Sequence, residues 1–382
     1  EASGEGSGRT ASRSAASASG AGSERVPEPD ATAPDMHPVA QHTLDAPVNA
    51  VSLGVDFVDV VSERGTVFRF DAKTCAAVGE PLVLDDDVPA LIRVASQGRY
   101  IVGFARSALD VEEGSAQSIP LRGVPIDILF VPNPGGNARR VWALVRDAAG
   151  VRLDAYALDA ARALQDAAPD GSAASLAATP TASFPVDARP IGAIAFDDGR
   201  RIAVVGFGGR RVDVVDVFGI AAPVQIDLPF RPARFVALDG DRLWLAAPNL
   251  PRAAVVTLVG DRASVREIDT ASAFSVVRWA AQGQLVGYAP SEQTLQLMDA
   301  EGRTIAETSI PLVAALAVEH ELLWVAVSDD APLLVGLDAA TLEERARQVL
   351  PAPASSLWAS GRLVGAAVAN RPLVACFELT EG

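Results

Sequence analysis

Three observations predict an all-β fold, a β-propeller of eight four-stranded blades. Apolar residues come in bursts of five to eight, rich in Val, Leu and Ala and broken by Gly, Pro, Asp and Arg, which is the mark of many short strands. From Pro47 onward the chain divides into eight segments, each opening on a small residue or proline before an apolar strand. The openings fall at Pro47, Pro89, Pro125, Pro190, Pro232, Ala273, Ala314 and Ser355, at intervals of 42, 36, 65, 42, 41, 41 and 41 residues. A fixed period in this range signals propeller blades or a solenoid. Third, the order inside a segment is constant: in the seventh, AALAV, LLWVAVS, PLLVGLD and ARQVLP give strands A, B, C and D. Helical repeats would need apolar spacing of 3.6 residues and fewer interruptions.

Residues 1–40 are built almost entirely from Gly, Ala, Ser, Glu, Asp and Pro. Such a segment buries too little apolar surface to offset its ordering entropy and is expected to be a disordered tether. As a random coil, about 40 residues would hold the folded part roughly 35 Å from an anchor. The chain opens on Glu rather than Met. Its Ser/Gly-rich start resembles the segment that follows the lipidated cysteine of bacterial lipoproteins, which implies a periplasmic or surface-exposed place in the cell envelope; a secreted protein and a linker from an upstream domain are the alternatives.

Residues 41–382 carry the propeller. The 65-residue third interval holds an insertion at 157–183, polar and small, in which AARALQDA could form a short helix. The eighth segment stops at its strand C, PLVACFEL, and a ring ending there would leave an open edge. The strand QHTLDA at 41–46 is expected to close the ring as the outer strand of the last blade. The count falls to seven if the short second segment, with its weak LDVEEGSAQSIPL half, does not complete a blade.

Four segments leave strand C through one pattern: FRFDAKTCAAVGE at 68–80, YALDAARALQD at 156–166, LMDAEGRTIAE at 297–307 and GLDAATLEERARQ at 336–348. An Asp after an apolar strand can cap the following turn with its side chain. The pattern resembles the repeat turn of bacterial propellers of the PQQ-like and WD40-like groups. The Gly-His and Trp-Asp pairs of WD40 repeats do not occur, and the tryptophan that PQQ-like repeats carry after this turn is missing, so no quinone cofactor is expected. An eight-bladed, tethered, PQQ-like propeller is also similar to the lipoprotein of the outer-membrane β-barrel assembly machinery.

The formal charge of −16, from 48 acidic and 32 basic residues, would repel nucleic acid. No run approaches the ~18 apolar residues of a spanning helix, so membrane attachment is expected only through an anchor outside this chain. Of three histidines, His320 alone lies firmly inside the repeats. A metal centre needs two or three such ligands, and His320 reads as a solvated turn residue. Cys75 and Cys376, the two cysteines, could pair only if the chain ends meet, and they read better as two separate buried thiols. The acidic runs 85–87, 197–198 and 329–330 fall at turns and lack the alternating oxygen ligands of a calcium loop. Glycine-rich GFGGRR at 206–211 lies between two strands and reads as a β-turn rather than a phosphate loop.

Two features remain as candidate sites. Arg189 and Arg231 occupy the same place before strand A in consecutive blades, and Arg234 and Arg278 lie on the following inner strands; together they could hold a carboxylate, phosphate or acidic peptide at one channel mouth. Asp127, also on a predicted inner strand, could face the channel. The expectation is a non-enzymatic binding or scaffolding propeller that docks a protein or peptide partner, without a cofactor. The competing readings are a lactonase-like hydrolase using a carboxylate and Ca²⁺ in the channel, and a regulatory domain of a larger protein.

Overall fold

The structure is a computed structural model. It describes residues 36–53, 56–83, 91–96, 99–103, 107–112, 115–131, 140–157, 180–187, 189–197, 199–280 and 283–380. Strand β1 spans Met36–Thr43. Blade 1 is β2 (Val48–Leu53), β3 (Phe57–Ser62), β4 (Thr66–Asp71) and β5 (Leu82–Val83). Blade 2 is β6 (Leu91–Ser96), β7 (Arg99–Gly103), β8 (Ser107–Glu112) and β9 (Ser115–Pro120). Blade 3 is β10 (Val124–Val131), β11 (Arg140–Asp147), β12 (Gly150–Ala157) and β13 (Ala182–Pro185). Blade 4 is β14 (Pro190–Phe196), β15 (Arg201–Gly206), β16 (Arg211–Asp216) and β17 (Val224–Asp227). Blade 5 is β18 (Arg234–Ala237), β19 (Arg242–Ala246), β20 (Arg252–Val259) and β21 (Arg262–Asp269). Blade 6 is β22 (Val276–Trp279), β23 (Gln284–Ala289), β24 (Thr294–Asp299) and β25 (Thr304–Ser309). Blade 7 is β26 (Val313–Glu319), β27 (Leu322–Val327), β28 (Leu333–Asp338) and β29 (Glu344–Val349). Blade 8 is β30 (Ala354–Ser360), β31 (Leu363–Val368) and β32 (Leu373–Leu379), completed by β1.

The described residues therefore form eight four-stranded antiparallel sheets. The second segment is a full blade, because its weak half pairs as β8 with β9 from Ser107↔Pro120 to Glu112↔Ser115. The clasp is present as well: β1 runs antiparallel to β32, from Met36↔Leu379 to Thr43↔Leu373. It starts earlier than the sequence suggests. Met36–Ala40, assigned to the tether, belong to the strand, whereas Leu44, Asp45 and Ala46 lie beyond it. Residues 1–35, the acidic run 85–87 and most of the insertion, 158–179, lie outside the described residues; the insertion's last residues enter β13.

Burial explains the apolar bursts. The second and third strands of a blade lie between two neighbouring sheets, so both of their faces are covered; β15, β19, β23 and β27 are almost wholly buried. Outer strands face water, and β21 is exposed at all but one position. Successive residues of a second strand pack on opposite neighbours, as the pleat requires. Leu243 and Leu245 join the core shared with blade 4, and Trp244 and Ala246 the core shared with blade 6. Tryptophan fills the third position of β11, β19 and β27 as Trp142, Trp244 and Trp324, each essentially inaccessible to solvent. Blade 8 inverts this arrangement. Gly365 takes the tryptophan's place on β31, and Trp358, its cross-strand partner on β30, lays its indole where a Cβ on Gly365 would have to go.

The Asp-led turns form at every described occurrence. Asp71 Oδ1 accepts from the backbone N–H groups of Lys73 (3.0 Å) and Thr74 (2.8 Å) and from the Thr74 hydroxyl (2.8 Å). Asp299 Oδ1 accepts from Glu301 and Arg303, both at 2.9 Å, and Asp338 Oδ1 from Ala340 and Thr341, both at 3.0 Å. The turn led by Asp159 lies outside the described residues.

These turns also explain a correction. Cys75 and Cys376 are not separate thiols: they form a disulfide with Cα atoms 6.4 Å apart. Cys75 follows Asp71 as Leu342 follows Asp338, and both adopt a left-handed backbone, at φ 59° and 60°. Leu342 turns inward and packs in one core with Leu297 of blade 6. Cys75 makes the equivalent contact with blade 8, and there the apolar contact is replaced by a covalent bond. Because blades 1 and 8 are neighbours in the ring, residues 301 positions apart in sequence meet.

Candidate functional site

The first strands of the blades surround a central channel. Its cavity of about 570 Å³ is lined by β2, β14, β18, β22, β26 and β30. The walls are mostly apolar, with Leu53, Ile194, Phe235, Trp279, Leu316 and Leu357 among them, and Arg278 is the one ionisable side chain among the described residues of the lining. No Asp or Glu stands among the described residues of this lining. Among the described residues no three His, Cys, Asp or Glu side chains gather as a metal site.

The four candidate arginines separate into two pairs. Arg278 lines the channel on β22, and Arg234 stands beside it on β18, the adjacent first strand. Arg234 donates from Nε to the Ser275 carbonyl and from Nη1 to the Ala233 carbonyl (2.8 Å). Arg278 donates from Nη1 to its neighbour's carbonyl, Val277, at 3.2 Å. Arg278 is solvent-exposed, with protein packed around part of its side chain. That crowding, and then the positive charge of Arg234, draw its guanidinium below the ordinary arginine range.

Arg189 and Arg231 lie instead on the loops that enter blades 4 and 5, beside the β15–β16 turn. The Arg231 guanidinium sits 5.4 Å from the centre of the Phe207 ring, a cation–π distance. The Arg189 side chain borders Gly208. GFGGRR is thus the predicted turn, and the structure supplies a reason for its glycines. The buried Asp187 carboxylate is held beneath them, accepting from the backbone N–H of Arg189 and of Gly209, both at 2.7 Å. A Cβ at Gly206 or Gly209 would strike that carboxylate. Asp213 stands next to it and accepts from the Asp187 N–H at 2.8 Å, with Arg211 Nε 3.1 Å from its other oxygen. Burial, the largest influence, pushes the Asp213 carboxyl above its ordinary range, and the neighbouring Asp187 charge adds to this. Nothing periodic marks this carboxylate pair in the sequence.

Asp127 does not face the channel. It is buried in the seam between blades 3 and 4, where Oδ2 accepts from Ala193 N–H of the neighbouring first strand at 3.0 Å and Oδ1 from Ile128 N–H at 3.0 Å. It follows a β-bulge between Pro125 and Asp127, which turns it sideways. His320 occupies the β26–β27 turn with 83% of its side chain exposed, 3.4 Å from Glu319.

A larger electropositive surface emerges once the ring is assembled. In an antiparallel blade the loop entering the first strand and the turn between the second and third share one face. On that face six exposed arginines recur across blades 3, 4 and 5; Arg252 pairs with Glu267 at 3.4 Å, and the other five are Arg122, Arg146, Arg189, Arg210 and Arg231. None of these five pairs with a carboxylate within 4 Å among the described residues. Exposed apolar side chains stand among them, namely Val124, Ile191 and Leu250. Arg122 was hidden in the sequence because its segment enters the strand two residues later than the next two do.

No protein-family model matches the sequence, and no curated protein matches it. Solved structures do match. The computationally designed Ika8 protein superposes with a TM-score of 0.63 at 11% identity, over 91% of this chain and 99% of that one. BamB from Moraxella catarrhalis superposes with a TM-score of 0.62 at 12% identity, over 91% of this chain and 98% of that one. At such identities the likeness is one of fold: this chain is an eight-bladed β-propeller whose resemblance to PQQ-like propellers holds at the level of architecture.

Proposed function

We propose that the protein is a non-enzymatic scaffold that docks a protein or peptide partner on the face carrying Arg122, Arg146, Arg189, Arg210 and Arg231. The observation that carries this reading is the arc itself: five unpaired guanidiniums on three consecutive blades of a chain whose net charge is −16. Unpaired arginines interspersed with exposed apolar residues suit an interface core surrounded by charge, and arginine is enriched at such positions. The complementary partner surface is acidic and carries apolar anchors. A place in the cell envelope is supported by the Cys75–Cys376 bridge, since disulfides persist in oxidising compartments such as the bacterial periplasm.

Photo-crosslinking tests this. A crosslinking residue at Arg189 should trap a discrete partner from envelope extracts, and one at Asp261, on the opposite face, should not. Arg189→Glu with Arg231→Glu should abolish capture through a crosslinker placed at Val124. Equal capture from both faces, or capture indifferent to the charge reversal, would reject the assignment.

A further inference from the structure

We infer that the central channel is a binding site for a small apolar carboxylate, an amphiphile with one anionic head and a hydrocarbon or aromatic body. This goes beyond partner docking: it concerns the channel rather than the face, and Arg278 rather than the arginine arc.

Three observations converge on it. The cavity, about 570 Å³, falls in the range of roughly 300–1,000 Å³ typical of small-molecule sites. Its walls are hydrocarbon and aromatic, with Trp279, Phe235, Leu316 and Leu357 drawn from four consecutive blades. The third observation is Arg278 itself. It pairs across the sheet with Val286, the third residue of its second strand. On the same rung the other seven first strands carry Ser52, Arg93, Leu129, Ile194, Val236, Ala317 and Trp358, opposite Asp59, Ile101, Trp142, Ala203, Trp244, Trp324 and Gly365. Six of those seven are not ionisable; Arg93 of blade 2 is the exception. An uncharged side chain meets the demands of the fold at this rung on six of the eight first strands, yet on β22 a guanidinium stands there and faces a second cation.

Charge and donor supply then select the ligand. No carboxylate of the described protein lies within 4 Å of either Arg234 or Arg278, and a partly desolvated cation is stabilised by an anion. Arg234 has committed Nε and Nη1 to the Ser275 and Ala233 carbonyls, so it contributes field, while the fork of Arg278 supplies the donors. A guanidinium fork matches a carboxylate with two parallel hydrogen bonds. A phosphate monoester brings a second charge and a third oxygen, which the two prongs of one guanidinium leave unmatched. The apolar body of the ligand would lie against Trp279, Phe235 and Leu316, displacing water from hydrocarbon.

Dodecanoate below its micelle concentration is the probe, titrated calorimetrically into the intact protein with tryptophan fluorescence followed in parallel. Binding of one dodecanoate per chain is expected, with a change in Trp279 emission that Trp279→Phe removes. Arg278→Met should weaken binding by about 30-fold, the size of a lost charge-assisted pair. Arg278→Lys, which keeps charge but loses the fork, should fall between, and it serves as the reading if the methionine variant does not fold. Dodecanol and dodecyl phosphate should bind more weakly than dodecanoate. No binding by the folded protein, equal affinity in Arg278→Met, or equal affinity for dodecanol would each overturn the inference. Arg189→Glu with Arg231→Glu, which tests the docking face, should leave dodecanoate affinity unchanged.

Discussion

Replacing Cys75 and Cys376 together by alanine measures what covalent ring closure contributes. The bridge closes a loop of 301 residues. In the chain-entropy description, such a crosslink removes about 19 cal/mol/K from the unfolded ensemble, or about 5 to 6 kcal/mol at 25 °C. Both cysteines are fully buried, and trimming each to alanine also removes a polarisable contact, worth about 1 kcal/mol. Measured crosslinks deliver less than the entropic figure, so the loss should lie near the upper end of measured disulfide effects, about 5 kcal/mol, most of it arising in the unfolded state. Urea unfolding followed by tryptophan fluorescence, with and without reductant, reads it. The oxidised protein should unfold at markedly higher urea than the double variant, and reductant should bring the wild type down while leaving the variant unmoved. A difference under about 1 kcal/mol, or equal sensitivity of both proteins to reductant, would refute the reasoning.

Two further perturbations address packing and turn electrostatics. Gly365→Ala places a methyl group inside the volume of the Trp358 indole, and overpacking of this kind should cost about 3 kcal/mol, read as a lowered urea midpoint that Trp358→Phe partly restores. Asp71 is held below the ordinary carboxylate range, first by the Thr74 hydroxyl and then by the backbone N–H groups of Thr74 and Lys73. Its folded value lies below its unfolded one, so the stability it adds is present above about pH 4 and drains away as pH falls through the folded value. Asp71→Ala should cost up to about 1 kcal/mol at neutral pH, as lost side-chain caps do, and the gap to wild type should shrink toward about pH 2. A gap constant across that range would show that the carboxylate's charge is not what holds the turn.

The architecture could be read from the sequence because a blade repeats local rules. Apolar second and third strands such as LLWVAV at 322–327 are sandwiched between sheets, and an Asp after the third strand caps its turn wherever it recurs, at 71, 299 and 338. What stayed hidden depends on the closed ring. Cys75 and Cys376 are neighbours only because blade 1 abuts blade 8. Asp127 misled because a bulge shifts the phase of its strand by one residue, and the same shift occurs in the first strands of blades 1, 4, 7 and 8. Alternation counted from the opening proline therefore gives the wrong face. Arg234 and Arg278 were placed near the channel because their strands, β18 and β22, pair without a bulge. The division of the four arginines into a channel pair and a loop pair required knowing that Arg189 and Arg231 rest against the 207–208 turn.

The pairing of β1 with β32 sets a timetable. Met36 emerges from the ribosome hundreds of residues ahead of Leu379, its eventual neighbour, and it must wait through the synthesis of every other blade before it finds a mate. Until then the growing molecule is an arc with two sticky margins, vulnerable to joining a second arc instead of itself. A chaperone that shields those margins, or an oxidant that locks them once they touch, acts on the last event of assembly, after which neither margin of the ring is left open.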